Sequence, residues 1–167
     1  MTDTNMSGLY DLSISEPAAA KQQIVTVDDD ERFIVDLTSA TKSYCSMTAQ
    51  TEEEQATLYS AMNSPTGKVM EHIGEEIDLK DVYVEVVRCA NTETGELQAC
   101  PRIVLITATG ESYHCVSKGV YGALQKLFKV YGEPSRWIKP IRMKIKLIPL
   151  GTRNILTLDI VRPKAAK

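Results

Sequence analysis

Residues 112–161 read SYHCVSKGVYGALQKLFKVYGEPSRWIKPIRMKIKLIPLGTRNILTLDIV: a strand, a short amphipathic helix and a two-stranded hairpin in succession. From Ile141 the alternation is clean. Ile141, Met143, Ile145 and Leu147 fall on one face, and Arg142, Lys144 and Lys146 on the other. Period two marks a strand with one buried face. Leu150-Gly151-Thr152-Arg153-Asn154 supplies turn residues, and Leu156, Leu158 and Ile160 resume the pattern. Two such runs around a glycine-containing turn read as a hairpin. The three cations stand roughly 6.5–7 Å apart along the strand, near the repeat of phosphates in an extended single strand. A solvated, edge-protecting face would show the same residues.

Upstream, Ser117 suits the N-cap of a helix over Lys118–Tyr131. Val120, Leu124, Leu127, Phe128 and Tyr131 recur at helical spacing and predict its packing face. Gly132 fits the position after the last turn, and Pro134 prevents continuation. Lys118, Lys126 and Lys129 lie off the stripe.

The 167 residues suit one domain with an extension, and 43% hydrophobic content suffices for a core. The net charge of -3 hides a division. Residues 1–100 carry 6 Lys+Arg against 19 Asp+Glu, whereas residues 101–167 carry 13 against 3. Such asymmetry points to a polyanion site in one part and an acidic arm or shield in the other. No apolar run reaches the ~18 residues of a membrane span. The N-terminus has no basic cluster of the secretory kind, so a cytoplasmic location is expected. Cys45, Cys89, Cys100 and Cys115 form no C-x-x-C pair, and His72 and His114 stand apart. Zinc and disulfides are therefore not expected.

Residues 1–31, ending in Asp28-Asp29-Asp30-Glu31, read as a flexible acidic arm. Its apolar residues Leu9, Tyr10, Leu12 and Ile14 offer contacts to another subunit, so a homo-oligomer is expected. A domain follows over 32–162, then a tail over 163–167. Arg32–Met47 looks extended. Thr51-x-x-Glu54 is a capping box opening a short helix that ends near Asn63. Ile77–Cys89 is a long strand, Asn91–Pro101 a polar loop and Arg102–Thr107 a strand. Thr109-Gly110 predicts a two-residue turn into Ser112–Ser117, which would pair Ile106 with Tyr113 and Arg102 with Ser117.

The expected fold is mainly β, α+β by content. It is an OB-fold-like antiparallel barrel of five to six strands, with a helix between core strands three and four and a short helix upstream. Phosphate-cradling glycine motifs, nucleophile motifs and paired metal ligands are missing from the sequence, so neither an enzyme nor a cofactor is expected. Single-strand binding needs cations along the backbone and aromatic platforms for bases. The candidate cations are Arg88, Arg102, Lys118, Arg136, Lys139, Arg142, Lys144, Lys146 and Arg153. The candidate platforms are Tyr83, Tyr113, Tyr121 and Trp137. Trp137, between Arg136 and Lys139, fits an exposed stacking site or a plug closing the barrel equally well.

Ala108-Thr109-Gly110-Glu111-Ser112-Tyr113 and Val116-Ser117-Lys118 resemble the central hairpin of single-stranded DNA-binding proteins from small protein-primed tailed phages of Gram-positive bacteria. The order of elements over Phe33–Val161 is similar too. The resemblance implies non-sequence-specific binding that protects displaced strands during phage DNA replication, in the bacterial cytoplasm. It further implies that Tyr113, after the hairpin turn, stacks on DNA, whereas Tyr83 is displaced from its counterpart's place. The alternative is a phage-encoded interaction or inhibitor module whose acidic half engages a host protein. On neither reading is a membrane or a small-molecule substrate expected.

Overall fold

The structure, a computed structural model, describes residues 43–165. The arm over 1–31, the start of the extended run and the last two residues of the tail lie outside the described residues. In chain order come β1 (Ser43–Cys45), α1 (Glu52–Asn63), β2 (Gly67–Lys68), β3 (Glu76–Ala90), β4 (Leu97–Thr107), β5 (Ser112–Val116), α2 (Lys118–Tyr131), β6 (Ile141–Leu150) and β7 (Arg153–Ile160). Single 3-10 turns occupy Val69–His72 and Pro134–Arg136. The strands form one curled sheet in the order β2-β5-β4-β3-β6-β7, with β1 added to β3, a barrel-like and OB-like arrangement.

The long β3 makes the curl possible. Its first residues pair with β6, Glu76 to Lys144 through Leu79 to Ile141. Beyond a bulge at Lys80, between Leu79 and Asp81, it pairs with β1 on that same side and with β4 on the other. A bulge adds one residue and turns the strand, so Leu79 and Val82 both point inward. The core gathers Leu79, Val82, Val84, Ile103, Leu105 and Ile145 with Leu156 and Leu158 of β7. Val120, Leu124, Leu127 and Phe128 of α2 join it.

Both helices start and stop as their caps dictate. Thr51 and Glu54 close a reciprocal capping box on α1. Ser117 Oγ accepts from the Val120 N–H, and Gly132, at φ +77°, donates its N–H to the Phe128 carbonyl. α2 is seated against β7, where the Ser117 hydroxyl donates to the Leu156 carbonyl at 3.3 Å. α1 lies on the outer face of the sheet. Its Leu58 and Ala61, with Met47, cover Tyr83, Val104 and Ile106 in a small second core.

Several expectations are corrected. The β4–β5 register pairs Leu105 with Tyr113, Ile106 with Ser112 and Arg102 with Val116, one residue off the expected pairing. The hairpin closes with the Thr107 N–H on the Glu111 carbonyl, so three residues form the loop and Gly110 takes φ +89°. β4 begins at Leu97, which shortens the expected 91–101 loop. Pro101 is accommodated in β4 beyond the end of β5, where the strand has a neighbour on one side only. The sheet is not wholly antiparallel, because the short β2 pairs in parallel with β5, Lys68 beside His114.

Candidate nucleic-acid interface

Arg142, Lys144 and Lys146 share the outer face of β6 as expected, but they do not stand alone. Arg142 Nε and Nη2 donate to the two carboxylate oxygens of Asp78 at 2.9 and 3.1 Å, across the register that pairs these residues. Lys146 Nζ lies 2.5 Å from Asp159 Oδ2. Lys144 is flanked in register by Glu76 on β3 and Asp159 on β7. Hydrogen bonds from these cations hold the carboxyls of Asp78 and Asp159 below the usual range. The basic ladder is thus interleaved with an acidic one. Exposed pairs of this kind stabilise a fold by only about 0.2–1 kcal/mol, but they cancel local potential.

If the ladder follows a phosphate backbone, the two acids oppose it. A unit charge at ~4 Å costs about 1 kcal/mol in water. Asp78→Asn and Asp159→Asn should therefore each tighten oligo-dT binding about fivefold at low salt, with little change in the urea midpoint. Unchanged affinity in both would place the DNA elsewhere.

The outer face of β4 and β5 carries a second group. Arg102 Nη1 donates to Glu85 Oε2 at 2.8 Å, a half-buried cross-strand pair. Lys118 is exposed at the start of α2, Arg136 and Lys139 in the segment before β6, and Arg153 at the start of β7. Lys68 and His114, which the sequence reading left unassigned, stand side by side on this face. Their signal was a parallel pairing too short to show as a pattern. Alternation along β3 sets Arg88 with Val84 and Val86, on the inner side of the hairpin that runs past the barrel.

Of the four aromatic candidates, three are buried and Trp137 is half-buried. Tyr113 lies in the core, 6% exposed, with its ring 4.1 Å from His72 and its hydroxyl donating to Glu111 Oε2 at 3.0 Å. Tyr83 is buried under α1, and desolvation, then the charge of Glu85, pushes its phenol up to about 12. Tyr121 belongs to the main core. Trp137 is half-buried against Phe128, edge to face at 6.3 Å, and its Nε1 donates to the Gly132 carbonyl at 2.9 Å. These contacts pack one side of the ring against the core and leave the rest exposed. Among the described residues the exposed tyrosines are Tyr59 and Tyr131. Helical spacing predicts Tyr131 on the packing stripe of α2, yet it is exposed; Tyr59 lies beside Leu58 and away from the buried Ala61 of α1.

No three His, Cys, Asp or Glu side chains gather as a metal site among the described residues. No described helix is long and apolar enough to cross a membrane.

The described chain is a small barrel-like sheet with cations on its outer faces. The family model described as Phage Single-stranded DNA-binding protein matches residues 38–160, well over half the chain, and the chain belongs to that family. No curated protein and no solved structure matches it.

Proposed function

We propose that this protein binds single-stranded DNA without sequence preference and protects strands displaced during phage DNA replication. The observation that carries the reading is the family match over 38–160, a span that contains every strand and both helices of the described structure. On this reading β3–β7 are the five strands of an OB-type barrel, and α2 is the helix between its third and fourth strands. The observed order β5-β4-β3-β6-β7 is compatible with such a barrel. Arg102 and Lys118 on one side, with Arg136, Arg142, Lys144, Lys146 and Arg153 on the other, supply backbone contacts. The protein acts by binding and carries out no reaction.

The test is fluorescence anisotropy with a labelled oligo-dT and a duplex of matched length across a salt series. Oligo-dT should bind more tightly, with log K falling by about 0.7 per phosphate contact for each tenfold rise in salt. Salt-independent binding, or a preference for duplex, would refute the reading.

A further inference from the structure

We infer that Lys68, Arg102 and His114 form a phosphate-binding position on the outer face of β4 and β5, which seats a backbone phosphodiester of single-stranded DNA. The inference rests on the single-strand reading above and adds Lys68 and His114 to it.

Register places the three together. Lys68 is beside His114 in the parallel β2–β5 pair, and Val104 is beside His114 in the antiparallel β4–β5 pair. In-register neighbours share a face of the sheet, and so do residues two apart on one strand. Arg102, two residues from Val104, therefore points the same way and lies diagonal to His114. Lys68 is exposed, and His114 and Arg102 are partly so. A solvent-borne anion can reach all three.

Charges of both signs surround the imidazole. Two cations face it from different strands, Lys68 on β2 and Arg102 on β4. Two carboxylates stand near these cations. Glu71 Oε1 accepts the Lys68 backbone N–H at 2.9 Å, and Glu85 Oε2 accepts from Arg102 Nη1. Burial first, then Arg102 and Lys68, lower the His114 pKa, and Glu71 offsets this only in part. The neutral imidazole is thus favoured in the free protein. A phosphate bound between the cations reverses the local field and favours the imidazolium, which then donates a charge-assisted hydrogen bond. Binding takes up a proton. His72 differs, because its Nδ1 lies 2.8 Å from Glu75 Oε2 and its ring packs on Tyr113 in the core.

Linkage fixes the sign of the effect. DNA affinity rises as pH falls below the imidazole pKa of the complex and levels off below that of the free protein. The gain is about tenfold for each unit by which DNA raises that pKa. The experiment measures oligo-dT binding by the full chain at pH 7.5 and 5.5, at fixed salt. Wild type, His114→Gln, His72→Gln and Lys68→Ala are compared, and the His114 imidazole is titrated by NMR with and without oligo-dT. Wild type and His72→Gln should tighten several-fold at pH 5.5, His114→Gln should stay flat, and the His114 pKa should rise in the complex. Lys68→Ala, at an exposed position, should lower the salt slope by about 0.7. If His114→Gln tightens like wild type, or the His114 pKa does not move in saturating oligo-dT, this position is not a phosphate site, while salt-sensitive binding leaves the single-strand reading standing. If no variant binds oligo-dT at low salt, the single-strand reading itself fails, and this inference with it.

Discussion

Tyr113→Ala should lower the free energy of unfolding by about 3–5 kcal/mol, the range for removing a buried aromatic ring. Tyr113 stands on the inner face of β5 opposite Leu105, 6% exposed, in the same core as Val69. Truncation opens a cavity beneath β2 and the 3-10 turn after it, and it removes the ring on which His72 rests. Tyr113→Phe keeps the ring and loses only the hydrogen bond to Glu111, so its cost should be about 0.5–1.5 kcal/mol. Urea unfolding of both variants gives the comparison. The resemblance to phage proteins implied instead that this ring stacks on DNA. An alanine variant that keeps the wild-type midpoint but loses oligo-dT affinity would restore that role and contradict the packing argument.

The face that Tyr113 takes depends on a single residue of register, which the sequence left open between core and groove. Thr109-Gly110 predicts a two-residue turn, and only the geometry reveals that Thr107 and Glu111 close a three-residue loop. A shift of one residue exchanges the faces of a strand relative to its neighbour. Tyr113 therefore meets Leu105, an inward residue, and not the outward Ile106. Hairpin composition can accommodate both loops, so the choice is made by what the sheet buries.

The bounds of elements governed by local rules were legible, though Tyr131 and Leu147, expected on packing faces, are exposed. α2 runs over the expected residues, because Ser117 and Gly132 are capping residues and the apolar stripe has helical period. α1 likewise follows its capping box. The alternation of β6 and β7 survives in the structure, with Met143, Ile145, Leu156 and Leu158 buried.

What could not be read was long-range pairing. The division of charge between the two halves suggested a basic surface facing solvent. Folding instead brings acids of the first half onto cations of the second, Asp78 to Arg142 and Glu85 to Arg102. Burial of Tyr83 has the same origin, since it depends on α1 packing across the outer face of a sheet far away in sequence. Charge counts along a chain do not carry that information.

A matched pair of glycines in α2 tests whether the helix is seated on β7. A Cβ built at Gly119 would stand 2.2 Å from the Leu156 carbonyl oxygen and 2.4 Å from Ile155 Cγ2. The first of these is backbone, so neither a rotamer change nor a small side-chain shift relieves it. A Cβ at Gly122 meets nothing within 4 Å. Helix propensity favours alanine over glycine by about 1 kcal/mol in a helix interior, and less at Gly119, the second residue of the helix. At Gly122 that gain is unopposed, and Gly122→Ala should raise stability by about 0.5–1 kcal/mol. At Gly119 overpacking, about 1–3 kcal/mol or more where backbone must move, exceeds the gain. Gly119→Ala should therefore lower stability by about 2 kcal/mol or more, read as opposite shifts of the two urea midpoints with a common slope. The contact matters for the barrel because β5 and β7 are not paired with each other. The start of α2, through Ser117 and Gly119 against Leu156, spans the gap between them. If both alanines stabilise, α2 is not seated there and the curled sheet lacks that closure.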